Sequence, residues 1–343
     1  MPRRRHKNLL PCVLAALGVC LASQAARLGN PSGFIEPVAI AHSGVPADPA
    51  IGAAPPPAFS VGAAFDAVRQ RLIVFGGFFR GQYFGDTWEW DGDAWTERPE
   101  PGPSARNSPR MVYDEARGRV LLFGGDTRQT GALGDTWERE GVIWRHAASS
   151  GPSPRTVHAM TYDPHRGRVV LFGGATAGRV LGDTWEWDGR RWSLVASEGP
   201  PARALHGLAY DASRRRVVLF GGTPAIAPDV QPLRDTWEWD GRAWTQRHVA
   251  GPSPRDHTSM AYDAAREVIV LHGGGTTPDA RAETWTFDGS AWRRLAASGP
   301  RRMNPALVFD PSARALLLFG GFNAGPSNEL WRLAGPRWAR LWP

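Results

Sequence analysis

Residues 58–343 repeat one arrangement of apolar and polar positions six times. In the third copy, Thr156 to Asp163 mixes apolar with polar residues and runs into the polar turn Tyr162-Asp163-Pro164-His165-Arg166-Gly167. Arg168-Val169-Val170-Leu171-Phe172 is then a β-branched apolar run that stops at Gly173-Gly174. After a variable loop, Asp183-Thr184-Trp185-Glu186-Trp187 alternates strictly, as a half-buried strand does. Asp188-Gly189 signals a hairpin turn, and Trp192-Ser193-Leu194-Val195 supplies a fourth strand. Each copy therefore predicts a four-stranded antiparallel meander.

The glycine pairs stand at 76/77, 124/125, 173/174, 221/222, 273/274 and 320/321, so their spacing is 48, 49, 48, 52 and 47 residues. Two tryptophans seven residues apart follow each pair, at 88/95, 137/144, 185/192, 237/244, 285/292 and 331/338. A period near 50 residues marks a repeat architecture. Six such sheets cannot bury both faces alone, but stacked radially they can, which predicts an all-β fold: a six-bladed β-propeller of four-stranded antiparallel blades. A buried indole removes roughly 150–250 Å² from water, worth at most about 4–6 kcal/mol. Tryptophans at fixed positions in every copy are therefore assigned to packing between blades. The expected blades are approximately 58–101, 102–150, 151–198, 199–250, 251–298 and 299–343.

The ends of the chain alter its chemistry. Arg3, Arg4, Arg5 and Lys7 precede an apolar run from Leu9 to Leu21, and Ser23-Gln24-Ala25 offers small residues for cleavage. Residues 1–25 read as a secretory signal, which places the protein outside the cell or in the periplasm or cell envelope. An uncleaved anchor and a lipidated Cys20 are the rival readings, and Val19 disfavours the second. Residues 26–57, rich in Ala, Gly and Pro, read as a leader. Cleavage would lower the formal charge from +7 to about +3, because four basic and no acidic residues leave. It would also remove Cys12 and Cys20, leaving no thiol and no transmembrane segment. A small positive excess without a concentrated basic face argues against nucleic-acid partners. Phosphate loops, metal-binding motifs and nucleophile elbows are missing from the sequence, so no cofactor and no metal are expected.

The pattern resembles the Kelch family, whose repeat joins an apolar run and Gly-Gly to a spaced aromatic and a tryptophan. The resemblance covers residues 58–343 and implies a propeller. Kelch propellers often close by sharing strands between their first and last blades, but no shared strand is evident in this chain. Galactose-oxidase-like relatives need a cysteine joined to tyrosine, which the mature chain would lack. Sialidase boxes match only in the fragment Gly-Asp-Thr-Trp, at a different place in the blade. Exported Kelch enzymes that epimerise sialic acid are a closer analogy, although no unique carboxylate–arginine pair stands out for that role.

Comparison among the copies separates scaffold from candidate site. An acidic residue stands two before each first tryptophan: Asp86, Asp135, Asp183, Asp235, Glu283 and Glu329. Arg106, Arg155, Arg203, Arg255 and Arg302 open five of the six first strands. These charges form either structural pairs or an arginine-lined channel mouth for an anion. His158, His206 and His257 follow the arginines, as structural hydrogen-bonding groups or as part of a His/Arg pocket. The loops between Gly-Gly and the acidic residue have 8, 9, 8, 12, 8 and 7 residues with unrelated sequences, which places ligand recognition on the face that carries them. Blade 1 contributes Phe78, Phe79, Arg80, Tyr83 and Phe84, aromatics that fold onto the rim or meet a partner. The expectation is a monomeric, non-catalytic module that binds a protein or cell-surface glycan. The alternative is a carbohydrate-active enzyme, an epimerase or mutarotase or a hydrolase, using the Arg/His mouth.

Overall fold

A computed structural model of the protein describes residues 53–227, 229–275, 281–295 and 298–343. These form six four-stranded antiparallel sheets, with each blade's strands in chain order from the inside outward. Blade 1 comprises Gly62–Asp66, Arg71–Phe75, Thr87–Trp90 and Trp95–Arg98. Blade 2 comprises Arg110–Asp114, Arg119–Phe123, Thr136–Glu140 and Ile143–Ala148. The inner strands of the other blades are Ala159–Asp163, Gly207–Asp211, Asp256–Asp263 and Ala306–Asp310. The expected signal and most of the leader lie outside the described residues. Within them, no helix is long and apolar enough to cross a membrane.

The second strands explain how six thin sheets become one fold. Leu121 and Phe123 of blade 2 pack into the seam with blade 3, whereas Val120 and Leu122 face the seam with blade 1. Successive side chains of a strand point to opposite faces, so one apolar run fills two seams. Each of the six seams holds one such cluster. The second tryptophan of a blade pins that seam by donating its indole N–H to a threonine of the preceding blade. Trp144 reaches Thr87 at 3.0 Å, Trp192 reaches Thr136 at 2.9 Å, Trp244 reaches Thr184 at 2.9 Å, Trp292 reaches Thr236 at 3.0 Å and Trp338 reaches Thr284 at 3.0 Å.

The ring closes without exchange of strands: blade 1 is built wholly from the start of the propeller and blade 6 wholly from its end. The closing seam is more apolar than the others. Leu330 stands where the threonine stands elsewhere, so Trp95 Nε1 finds no partner, although its ring packs on Phe319 at 5.0 Å just as Trp192 packs on Phe123 at 5.3 Å. Residues expected to belong to the leader take part, because Asn328 Nδ2 donates to the Pro55 carbonyl at 3.1 Å and Ala54 packs on the seam.

One ionic cluster is buried between blades 1 and 2. Glu89 accepts from Arg69 at 2.6 Å, Arg98 at 2.8 Å and Arg139 at 2.7 Å, and both Glu89 and Arg139 are 1% exposed. Burial opposes ionisation of Glu89, but the hydrogen bonds from Arg69 and Arg139 outweigh it and hold the carboxyl at about 2.

Candidate functional site

The five entry arginines act as clasps. The Arg155 backbone sits in blade 2, where its N–H donates to Leu133 O at 2.9 Å and its carbonyl accepts from Gly125 N at 3.0 Å. Its side chain turns into blade 3, binding Asp183 through both terminal nitrogens at 2.7 and 2.8 Å and the Gly173 carbonyl at 3.0 Å. Ser153 takes the remaining donors through its carbonyl and hydroxyl, both at 3.0 Å. Gly124, at φ +66°, is required here, since a Cβ would lie 2.7 Å from the Arg155 carbonyl. Arg106 repeats the arrangement with Asp135 and Arg203 repeats the acid and glycine contacts with Asp235, Arg255 holds Glu283 through one nitrogen, and Arg302 holds Glu329 without reaching a glycine carbonyl. Burial opposes ionisation of Asp135, Asp183 and Asp235, but the paired guanidinium outweighs it and lowers each carboxyl. The carboxylates use up the donors that a channel-mouth anion would need.

The histidines divide. His158 and His206 are wedged between blades, their rings edge-on to Phe123 and Phe172, with no hydrogen-bond partner for any ring nitrogen. Burial holds both well below the ordinary imidazole range, aided by Arg110 and Arg155 at His158 and by Arg203 and Arg110 at His206. Both are neutral at physiological pH. His257 stands one position earlier in the repeat, where its Nδ1 meets Asp256 at 2.9 Å. That position has φ between +49° and +59° in all six blades, at Ser60, Ser108, Val157, Leu205, His257 and Asn304. It forms a ring at the start of the inner strands. Backbone bonds tighten this ring, from Ser108 N to Ser60 O at 2.9 Å, Leu205 N to Val157 O at 3.0 Å and Asn304 N to His257 O at 2.6 Å. A left-handed backbone at the β-branched Val157 is costly and is held only by its surroundings.

Arg110, which sequence reasoning passed over, lies beside this ring. It opens the inner strand of blade 2, where the other blades carry Gly62, Ala159, Gly207, Ser259 and Ala306. Its side chain donates through Nε to the His158 carbonyl in blade 3 at 2.8 Å and through a terminal nitrogen to Asn304 Oδ1 in blade 6 at 3.2 Å. Blades 2 and 6 are not neighbours, so Arg110 reaches across the central channel. Asn304 is fixed in turn by donating to Ser60 Oγ at 2.6 Å. Arg110 is half-buried, and desolvation lowers its guanidinium to about 10, so it stays charged at neutral pH. No carboxylate among the described residues pairs with it. A comparison of the strand-opening residue across the six copies would have exposed this one large, charged departure.

The upper face is more regular than unrelated loops predict. In blades 1, 2 and 3 the chain after Gly-Gly forms a two-stranded hairpin: Phe78–Phe79 with Gln82–Tyr83, Asp126–Thr127 with Gly131–Ala132, and Ala175–Thr176 with Arg179–Val180. Isolated bridges tie these to the strand entries at Phe59, Asn107 and Thr156, so the loops and the channel mouth share one face. Within the aromatic loop, Phe78 is buried against Phe59 and Tyr83, and Phe84 packs on the closing seam. Phe79 is half-buried beneath the exposed Arg80 guanidinium, 5.0 Å from its ring centre, and Tyr83 is half-buried. The loop both folds onto the rim and presents Phe79, Arg80 and Tyr83 outward.

Asp126, in the blade 2 hairpin, is the second unanticipated group. It is 2% exposed, and its Oδ1 accepts from Thr156 at 2.8 Å and Asn107 at 3.2 Å, while Oδ2 has no partner. Burial raises the carboxyl to about 6 against these donors. No set of three or more His, Cys, Asp or Glu among the described residues could hold a metal ion.

Neither protein-family models nor curated proteins match the chain. Among solved structures, the chain is similar to that of YjhT, with a TM-score of 0.66 and 14% identity over 84% of this chain and 99% of that one. Identity at that level speaks to the fold alone, and together with the six observed sheets it identifies the chain as a six-bladed β-propeller.

Proposed function

We propose that this propeller, of the Kelch type by its repeat grammar, is an exported binding module that seats an acidic group of a protein or cell-surface glycan against Arg110. The observation that carries this reading is the contrast among arginines. Four buried guanidiniums and the half-buried one of Arg302 each hold a carboxylate of the blade their side chain enters, whereas Arg110 crosses the channel with two neutral acceptors and no counter-ion. A half-buried cation in a channel without a counter-ion attracts an anion, and a ligand carboxylate would pair with it through bidentate bonds. Phe79, Arg80 and Tyr83 on the same face would supply contact area.

A catalytic reading rests on Asp126, whose raised carboxyl is suited to acid–base work on a sugar. Immobilised full chain probed with acidic and neutral glycans and with protein ligands tests both. The binding reading expects retention of acidic probes without turnover and weaker capture by folded Phe79→Ala and Tyr83→Ala. Turnover of a sugar that disappears in Asp126→Asn would decide for the enzyme.

A further inference from the structure

The clasp is incomplete in blade 1, and its vacancy has the chemistry of a guanidinium site. Ala58 stands four residues before the inner strand, as Arg106, Arg155, Arg203 and Arg302 stand before theirs. Its backbone takes the clasp position, bridging Ser327 of blade 6, but it has no side chain to send into blade 1. Asp86, the acidic member of the blade, forms no ion pair among the described residues and is exposed, unlike its five counterparts. In the other blades the first tryptophan donates to that acid: Trp137, Trp185 and Trp237 at 2.7 Å, Trp331 at 3.1 Å and Trp285 at 3.3 Å. Trp88 is 7% exposed and its Nε1 has no partner.

These groups line one recess. Asp86, Trp88, the backbone of Gly76, Phe84, Pro55 and Pro56 enclose a space of about 240 Å³ including its open mouth, with enclosed room for little more than a water molecule. In four of the sister slots the guanidinium also binds the first glycine's carbonyl, at 3.1, 3.0, 2.9 and 3.2 Å. Gly76 offers the same carbonyl here.

We propose that the blade 1 recess is a binding site for a guanidinium group supplied from outside the propeller, as an arginine side chain or a free guanidino compound. Asp86 turns inward to accept from the incoming cation and from Trp88, completing the arrangement already built in the other blades. A compact ammonium cannot span the carboxylate and the glycine carbonyl together, so the site selects for the planar fork. The site is separate from Arg110 and opposite in charge, and its test is independent of the function proposed above.

Thermal unfolding of the full chain with methylguanidinium, and with methylammonium as a charge-matched control, tests the assignment. The wild type should gain about 2–5 °C, saturably, at ten times the dissociation constant. Asp86→Asn should not respond. Ala58→Arg, which supplies the missing side chain, should melt higher without ligand and also not respond. If it does not fold, the comparison of wild type with Asp86→Asn decides. Equal responses of wild type and Asp86→Asn would overturn the site, and an equal response to methylammonium would overturn its selectivity. A peptide with one central arginine separates the sources: stronger binding than methylguanidinium assigns a protein partner, and equal binding a free guanidino compound.

Discussion

The indole N–H of Trp192 donates to Thr136 Oγ1 at 2.9 Å across the seam between blades 3 and 2, whereas Trp95, its counterpart at the closing seam, meets Leu330 and leaves its N–H unpartnered. The same side chain therefore does different work at two equivalent places. Trp192→Phe strands a buried hydroxyl and should cost about 1–2 kcal/mol more than Trp95→Phe, which loses only packing. Urea unfolding of the two variants checks this, and equal losses would contradict it.

The clasps make a larger prediction. Asp183→Asn leaves the fully buried Arg155 guanidinium without its charge partner and should destabilise by about 3–5 kcal/mol. Asp86→Asn, at the slot without an arginine, should change stability by less than about 0.5 kcal/mol in the absence of ligand. Urea melts of both variants provide the comparison.

Glu89 predicts how the fold responds to acid. Its carboxyl is lowered in the folded state to about 2 from an ordinary value of 4.5, so its contribution is complete above pH 4.5 and fades as the pH falls toward 2. Stability measured against pH should drop across that window in the wild type and less steeply in Glu89→Gln. The variant starts lower because Arg139 loses its buried partner.

Asp126 runs the other way. Its folded value is raised from 3.8 to about 6, so its contribution is full below pH 3.8 and is lost as the pH rises through 6. Asp126→Asn keeps an oxygen acceptor for Thr156 and Asn107 and carries no charge. It should be more stable than wild type at pH 8, and the gain should vanish near pH 4; a loss at pH 8 would show that donors to the carboxylate, Tyr83 among them, outweigh its burial.

The fold was legible because its signals are local and repeated: Gly173-Gly174, Thr184-Trp185 and the run Val169–Phe172 each specify backbone or packing within one copy. The clasp partners Arg155 and Asp183 were also visible as a recurring cation and anion, although which blade each side chain enters depends on the three-dimensional path. Arg110 was harder to see, because its importance arises from a channel formed by six distant strands. Its polar neighbours, His158 O and Asn304, lie 48 and 194 residues away in sequence. Asp126 looked like a loop residue, and only the bridge to Asn107 buries it. The vacancy at Ala58 was readable as a missing arginine, but not as a recess with Trp88 left unpartnered.

The most direct test of the account is parallel capture of carboxylate-bearing and neutral probes, glycan and protein, by wild type and Arg110→Met. Methionine keeps much of the side-chain volume and removes the charge. The account predicts that wild type retains acidic probes over neutral ones and that Arg110→Met loses them by about 30-fold or more while remaining folded. Equal capture of acidic probes by both proteins would contradict it.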